Sequence, residues 1–156
     1  GLFSAANIDG TSRREGVEAE FGLLLPYGLK IFSSYTYVDS NELDQTAGRR
    51  INEIRRPNHQ ASLFASWSSP DEKLSFNASV THSGSFFDTD FSTFPSTRQG
   101  MEAYTLVGIN GSYLVTKKLK TFFKVENLLD EQYEELFAVN TYGISGFLGF
   151  ELSFGR

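Results

Sequence analysis

Leu74-Ser75-Phe76-Asn77-Ala78-Ser79-Val80-Thr81 alternates an apolar side chain with a hydroxyl or an amide at every step. Successive side chains of an extended chain point to opposite faces. The stretch therefore predicts a strand with Leu74, Phe76, Ala78 and Val80 on one face and Ser75, Asn77, Ser79 and Thr81 on the other. A helix would need its apolar residues three and four apart, and the chain offers little of that spacing.

The same period runs outward in both directions. Upstream, Val17, Ala19, Phe21, Leu23 and Leu25 oppose Glu18, Glu20 and Gly22. Leu29, Ile31, Tyr35 and Tyr37 oppose Lys30, Ser34 and Thr36. Ala61, Leu63, Ala65 and Trp67 oppose Ser62 and Ser66, with Phe64 as an intruder. Downstream, Val107, Ile109, Tyr113 and Val115 oppose Gly108, Asn110 and Ser112. Leu119, Phe123 and Val125 oppose Lys120, Lys124 and Glu126, and Leu148, Phe150, Leu152 and Phe154 oppose Gly149, Glu151 and Ser153. Asn110-Gly111 has the composition of a tight hairpin turn. The alternation crosses it without a change of phase, so a continuous strand containing a glycine is expected. About seven strands result, the first reaching from near Phe3 to Leu25.

The connections alternate in length. Pro26-Tyr27-Gly28, Ser69-Pro70-Asp71-Glu72 and Thr116-Lys117 are short, whereas 41–56, 84–100 and 131–143 are long and polar. Short turns at one end and long loops at the other fit an antiparallel up-and-down transmembrane β-barrel wall. The alternating runs also approach the roughly 9–11 residues a tilted strand needs to cross a bilayer. Tyr35, Tyr37, Trp67, Phe86, Phe87 and Tyr104 fall at the ends of runs, where interfacial aromatic girdles are expected. The rival architecture is a soluble β-barrel or sandwich that binds a ligand, with the same apolar face turned inward.

Composition narrows the function. The 156 residues carry 14 Lys plus Arg against 19 Asp plus Glu, a net charge of −5, which argues against nucleic acid as a partner. Cysteine is absent, so disulfides, thiol catalysis and thiolate metal sites are excluded. Aromatics make up 15 % of a chain that is polar on average, a mixture suited to a wall with lipid on one side and water on the other.

Chemistry is sparse. Arg49, Arg50, Arg55 and Arg56 cluster in the first long loop as candidates to attract an anionic chelate or lipid phosphates. The plainer expectation pairs them with Glu42, Asp44 and Glu53. Asp88 and Asp90, with Ser85 and Thr89, resemble a hard-cation site only loosely, so no metal site is assigned. His82 and Ser83 are sequence neighbours on opposite faces of a strand and cannot form a nucleophile–base pair. No catalytic residue and no cofactor is expected, and the chain is read as a non-enzyme. Asn77-Ala78-Ser79 and Asn110-Gly111-Ser112 match a glycosylation pattern but lie inside expected strands.

Several segments carry a family resemblance. Val125-Glu126-Asn127-Leu128-Leu129-Asp130-Glu131-Gln132-Tyr133 resembles the V-x-N-L-x-D-x-x-Y segment near the end of TonB-dependent outer-membrane receptors. Arg14-Glu15-Gly16-Val17-Glu18 resembles their R-x-G-V-E strand, Tyr35-Thr36-Tyr37-Val38-Asp39 their Y-T-Y-x-D strand end, and Arg56-Pro57-Asn58-His59 their R-P-x-H strand start. Tyr133, Asn140-Thr141 and Gly143 resemble the vitamin B12 and siderophore branch. Gly146 to Phe154 resembles the closing strand that the barrel-assembly machinery recognises, with Gly155-Arg156 following where Phe is usually last.

The resemblance implies a bacterial outer-membrane receptor embedded in the lipid bilayer. It would take up a ferric siderophore, cobalamin or a similar scarce nutrient. A plug would fill its lumen, and an inner-membrane energy-transducing complex would act on that plug. Residues 1–156 match only the C-terminal part of such a barrel, and no plug domain is among them. An odd number of strands leaves the two ends of the wall on opposite sides of a membrane, so an incomplete barrel, a curved open sheet within a longer receptor, is expected.

Overall fold

The computed structural model of the chain describes residues 12–44 and 47–154. The expected start of the first strand near Phe3, and Gly155-Arg156, lie outside them. The described residues form ten strands: β1 (Arg13–Leu24), β2 (Leu29–Asp44), β3 (Arg49–Asn52), β4 (His59–Ser68), β5 (Leu74–Ser83), β6 (Phe86–Asp90), β7 (Thr97–Met101), β8 (Tyr104–Thr116), β9 (Leu119–Glu126) and β10 (Ser145–Leu152). Seven of them make the wall, in the order β1-β2-β4-β5-β8-β9-β10, every neighbour antiparallel and next in the path. Asn110-Gly111 lies inside β8, as the unbroken alternation requires.

The registers turn the alternation of each strand into two continuous faces. One row runs Leu23, Ile31, Ala65, Ala78, Ile109, Val125 and Gly146 across the wall. Another runs Ala19, Tyr35, Ala61, His82 and Thr105. These rows belong to the apolar face, with Leu63, Trp67, Phe76, Phe123 and Leu148. From Leu29 to Tyr37 this face extends eight residue steps, about 27 Å along the strand. The opposite face carries the row Lys30, Ser66, Asn77, Asn110 and Lys124. Its polar atoms bond across the strands: Ser34 to Ser62 at 2.7 Å, Ser75 to Ser112 at 2.7 Å, and the Asn77 amide donating to Asn110 at 2.8 Å. Cavities open on this polar side, one of about 530 Å³ lined by Ser75, Asn77, Ser112, Lys120 and Phe147, so the polar face is the concave one.

The apolar face has no protein cover. Leu148 is 87 % exposed and Phe150 72 %. Among the described residues no second sheet packs on it, as a sandwich would require. In water such a band would far exceed the few hundred Å² that a soluble monomer tolerates in one patch. Lipid removes that cost. No described helix is long and apolar enough to cross a membrane, so any crossing falls to the strands.

The wall is open. Among the described residues β1 pairs only with β2 and β10 only with β9, and no ladder joins β1 to β10. Close strand approach is fixed in part by Gly16, where a Cβ would lie 2.3 Å from the Tyr37 carbonyl oxygen.

Structure and sequence reading part company at the long-loop end. Strand β2 continues seven residues past Tyr37 and pairs with β3 as a hairpin, and β6 pairs with β7 inside the second loop. Polar side chains there hid the period that apolar ones reveal in the wall. Phe86 is no girdle residue. With Met101, opposite it across the β6–β7 ladder, it is one of the two buried apolar residues among those described. Tyr104, opposite Ser83, lies on the polar face.

Replacing an outward residue such as Leu63 or Phe123 by Arg should cost the full-length protein about 2–4 kcal/mol in lipid vesicles. Replacing inward Ser62 or Asn77 by Arg should cost far less. Urea unfolding read by intrinsic fluorescence measures both. A larger loss on the polar face would reverse the assignment of the two sides.

Candidate functional site

The three short turns lie at one end of the wall and the three long connections at the other. The candidate side chains gather at the long-loop rim. The third loop shows why the segment from Asn127 to Tyr133 has its spacing. Strand β9 ends at Glu126, and Asn127 turns the chain with φ 50, a left-handed conformation that Asn tolerates well. Its side chain is then aimed back at the loop. Oδ1 accepts the Glu131 N–H at 2.9 Å, and Nδ2 donates to the carbonyls of Glu131 at 3.0 Å and Tyr142 at 3.2 Å. Asp130, also left-handed, accepts the Ile144 N–H at 2.9 Å. A Cβ at Gly143 would meet that carboxylate at 2.5 Å, so a larger residue there would have to displace the Asp130 side chain from its bond to Ile144. Tyr133 stacks on Tyr104 with centroids 4.6 Å apart, and its carbonyl accepts the Thr141 hydroxyl at 2.6 Å. The motif is a clasp that ties both ends of the loop to the wall.

The four candidate arginines divide into two pairs. Arg49 and Arg50 are exposed on β3, opposite Asp44 and Leu43 in the hairpin. Arg55 and Arg56 follow the hairpin and enter ion pairs. Arg55 adopts φ 57, its backbone N–H donates to the Phe87 carbonyl at 2.6 Å, and its Nε donates to Asp88 Oδ1 at 2.8 Å. Arg56 lies 3.8 Å from Glu53, whose carboxylate is held at 2.9 Å by Arg14. The expected partner Glu53 is thus confirmed, while Asp88 was not foreseen. The Arg55 and Arg56 side chains keep 48 % and 55 % of their surface open to solvent.

Asp88 is the organising residue of the rim. It is fully buried, at 0 % exposure. Besides the Arg55 bond, Oδ1 accepts the Thr89 N–H at 2.8 Å, and Oδ2 accepts the Phe137 N–H of the third loop at 2.8 Å. Arg98 of β7 stacks over Phe87 at 4.6 Å and donates to the Asn52 carbonyl. Asp90 bonds Ser92 at 2.6 Å. The two carboxylates are thereby occupied, and no cluster of three or more metal-binding side chains exists among the described residues. His82 bonds Thr105 at 2.9 Å on the apolar face, on the other side of β5 from Ser83. Below the rim, Ser79, Thr81, Tyr133, Glu135, Asn140 and Thr141 line a cavity of about 710 Å³ on the concave side.

The charge network has a pH consequence. Burial pushes the Asp88 carboxyl up, but the Arg55 guanidinium and the amides of Phe137 and Thr89 outweigh it and hold it below the usual carboxylate value. Arg14 holds Glu53 low against a smaller upward push from burial, with Arg56 adding to it. A carboxylate whose folded pKa is depressed stabilises the fold fully above its unfolded value and loses that contribution as pH falls through the folded one. Rim order should therefore be constant at neutral pH and decline below about pH 4. Amide hydrogen exchange of residues 53–56 and 135–139, corrected for intrinsic rates, should accelerate at pH 3 relative to pH 6 while β5 and β8 stay protected. Equal protection at both pH values would contradict the network.

Comparison with known proteins accords with this geometry. Residues 1–128 match the family model of the TonB dependent receptor-like β-barrel. The vitamin B12 transporter BtuB of Vibrio cholerae serotype O1 is 29 % identical over 130 residues, 82 % of this chain and 20 % of that protein. The chain thus spans about a fifth of the length of the curated relatives it matches. Among solved structures, the ferric-catecholate import receptor Fiu of E. coli K12 in its closed form superposes with a TM-score of 0.75 at 19 % identity, over 95 % of this chain and 23 % of that one. The pyoverdine outer-membrane receptor FpvA of Pseudomonas aeruginosa superposes with a TM-score of 0.74 at 20 % identity, over 92 % of this chain and 22 % of that one. These relatives are transporters and receptors. With 128 of its 156 residues matched by the family model, the chain belongs to the TonB-dependent receptor β-barrels of the bacterial outer membrane.

Proposed function

We propose that this wall is the C-terminal share of a larger receptor barrel that takes up a scarce nutrient, and that its arginine-bearing rim makes first contact with an anionic ferric chelate. One observation carries the choice of ligand charge. Among the described residues every arginine (Arg13, Arg14, Arg49, Arg50, Arg55, Arg56 and Arg98) lies at the long-loop rim, whereas every lysine lies on the wall or in its short turns. A planar guanidinium matches carboxylate, phosphate and chelate oxygens two at a time, and a lysine ammonium does not. Arg49 and Arg50, exposed on the β3 hairpin, meet the ligand first; Arg55 and Arg56 line the approach behind them.

The remaining parts of the reading rest on the family. The plug and the other strands of the barrel lie outside these residues. An inner-membrane complex supplies energy through the plug, and the barrel-assembly machinery inserts the wall through its last strand. The protein is a transporter without a catalytic step or a cofactor, and nucleic acid has no place in its work. Uptake of a siderophore is favoured over cobalamin by the arginine rim, although the BtuB relationship keeps cobalamin in the test.

The full-length receptor, expressed in a host lacking its own outer-membrane iron and cobalamin receptors, should import at least one anionic ferric chelate. The probes are ⁵⁵Fe-labelled catecholate and citrate chelates, both anionic, and ⁵⁷Co-labelled cyanocobalamin, which carries no net charge. Arg49→Gln with Arg50→Gln should raise the half-saturating concentration roughly tenfold, the worth of one charge-assisted contact, and leave the saturating rate unchanged. Failure to import either ferric chelate, whether or not cyanocobalamin enters, or import indifferent to the double substitution, would overturn the reading.

A further inference from the structure

The long loops of this chain are joined by a group that neither the wall nor the uptake reading requires. Asp88 is a buried, charged side chain on the β6–β7 hairpin, and its three accepted bonds go to three different places. Arg55 belongs to the first long loop, Thr89 to the hairpin itself, and Phe137 to the third loop, 33 and 49 residues away in sequence for the two distant partners. Directly beneath it sit Phe86 and Met101, the buried apolar residues among those described. The wall turns its faces to lipid and lumen and so has no core of its own. Among the described residues, the buried apolar pair and the most deeply buried carboxylate lie together on this hairpin.

That coincidence decides what Asp88 does. A carboxylate taken out of water is costly unless its lone pairs are satisfied by well-placed donors. Here the donors come from separate loops, so each loop can leave its place only by uncovering the charge. The Arg55 backbone N–H on the Phe87 carbonyl and the Arg98 guanidinium on the Asn52 carbonyl add two more links between the first loop and the hairpin. No outside partner is needed, because all three donors are supplied by this chain.

We infer that Asp88 is a positioning residue that locks the three long loops into one preformed surface before any ligand arrives, and that aims Arg55 outward from that surface. Its benefit to capture rests on the uptake reading, since a preformed surface spares the ordering entropy that mobile loops would spend on binding. The loop coupling itself does not rest on that reading.

The test uses the full-length receptor without ligand. Cysteine is absent from these 156 residues, so spin labels can be placed singly at Ala47, Ser92 and Val139, one on each loop. Any cysteine elsewhere in the receptor is first replaced. Pulsed dipolar spectroscopy then reads the distances between labels in pairs. The wild type should give narrow distributions for all three pairs. Asp88→Asn weakens the Arg55 bond and sets an amide where Oδ1 or Oδ2 accepted an N–H, and it should at least double the width of the Ala47–Val139 distribution. Heat-modifiable migration of the unboiled protein confirms that the barrel is inserted.

Should Asp88→Asn fail to insert, two single-bond variants answer in its place. Arg55→Gln should broaden Ala47–Ser92 and spare Ser92–Val139. Phe137→Pro, which deletes the amide donor, should do the reverse. Broad distributions in the wild type, or widths unchanged in all three variants, would overturn the inference. Uptake is not part of this readout, so loops that stay coupled in a receptor that imports none of the chelates would refute only the uptake reading.

Discussion

Backbone hydrogen bonding in a medium without water governs everything else in this chain. Each unpaired N–H or C=O in the hydrocarbon region costs several kcal/mol, so a spanning strand must have a neighbour on each side. Antiparallel pairing of consecutive strands meets that demand with short turns at one end and leaves the other end free for long loops. It also fixes the registers, and the registers align the alternation of seven strands into a single apolar face and a single polar face. A slip of one residue in any ladder would send Leu63, Phe76 or Phe123 into the lumen and a serine, asparagine or lysine into lipid. The same demand bears on the outer edges of β1 and β10, which have no ladder partner among the described residues: in a membrane they need one, which the proposed larger barrel would supply.

The wall was legible because its physics is local. Period two needs only neighbours in sequence, and Leu74 to Thr81 displays it in eight residues. The crossing of Gly111 by an unbroken phase was readable for the same reason. The rim was not. The β3 strand reads Arg-Arg-Ile-Asn and the β6–β7 hairpin joins Phe-Phe-Asp-Thr-Asp to Thr-Arg-Gln-Gly-Met, so neither offers a clean apolar–polar alternation. Outside the bilayer a strand has no lipid to satisfy, and its sequence is free of the rule that exposes it elsewhere. Proximity to a strand end cannot distinguish a girdle residue from one that turns inward, as buried Phe86 and polar-face Tyr104 show.

The candidate site shows the same division. A cluster of four arginines announces itself in composition, and Glu53 lay close enough in sequence to be named as a partner. Asp88 stands out in the sequence only as part of a loose hard-cation resemblance with Asp90, and nothing there points to its partners. Its role comes from partners 33 and 49 residues away, brought together only when the hairpin folds over the first and third loops. The segment from Asn127 to Tyr133 stands between these cases. Its residues were recognisable by resemblance, while their work as a clasp, with Asn127 and Asp130 each accepting an N–H from across the loop, emerges from the geometry.

The central claim is that one face of this wall meets lipid and the other meets a wet lumen. Site-directed spin labelling along β5 of the full-length receptor in lipid bilayers tests it most directly, by comparing collision rates with molecular oxygen and with a water-soluble nickel chelate at positions 74 to 81. Oxygen access should peak at 74, 76, 78 and 80 and fall at 75, 77, 79 and 81, with nickel access in the opposite phase. A flat profile, or the same alternation with its phase inverted, would contradict the account.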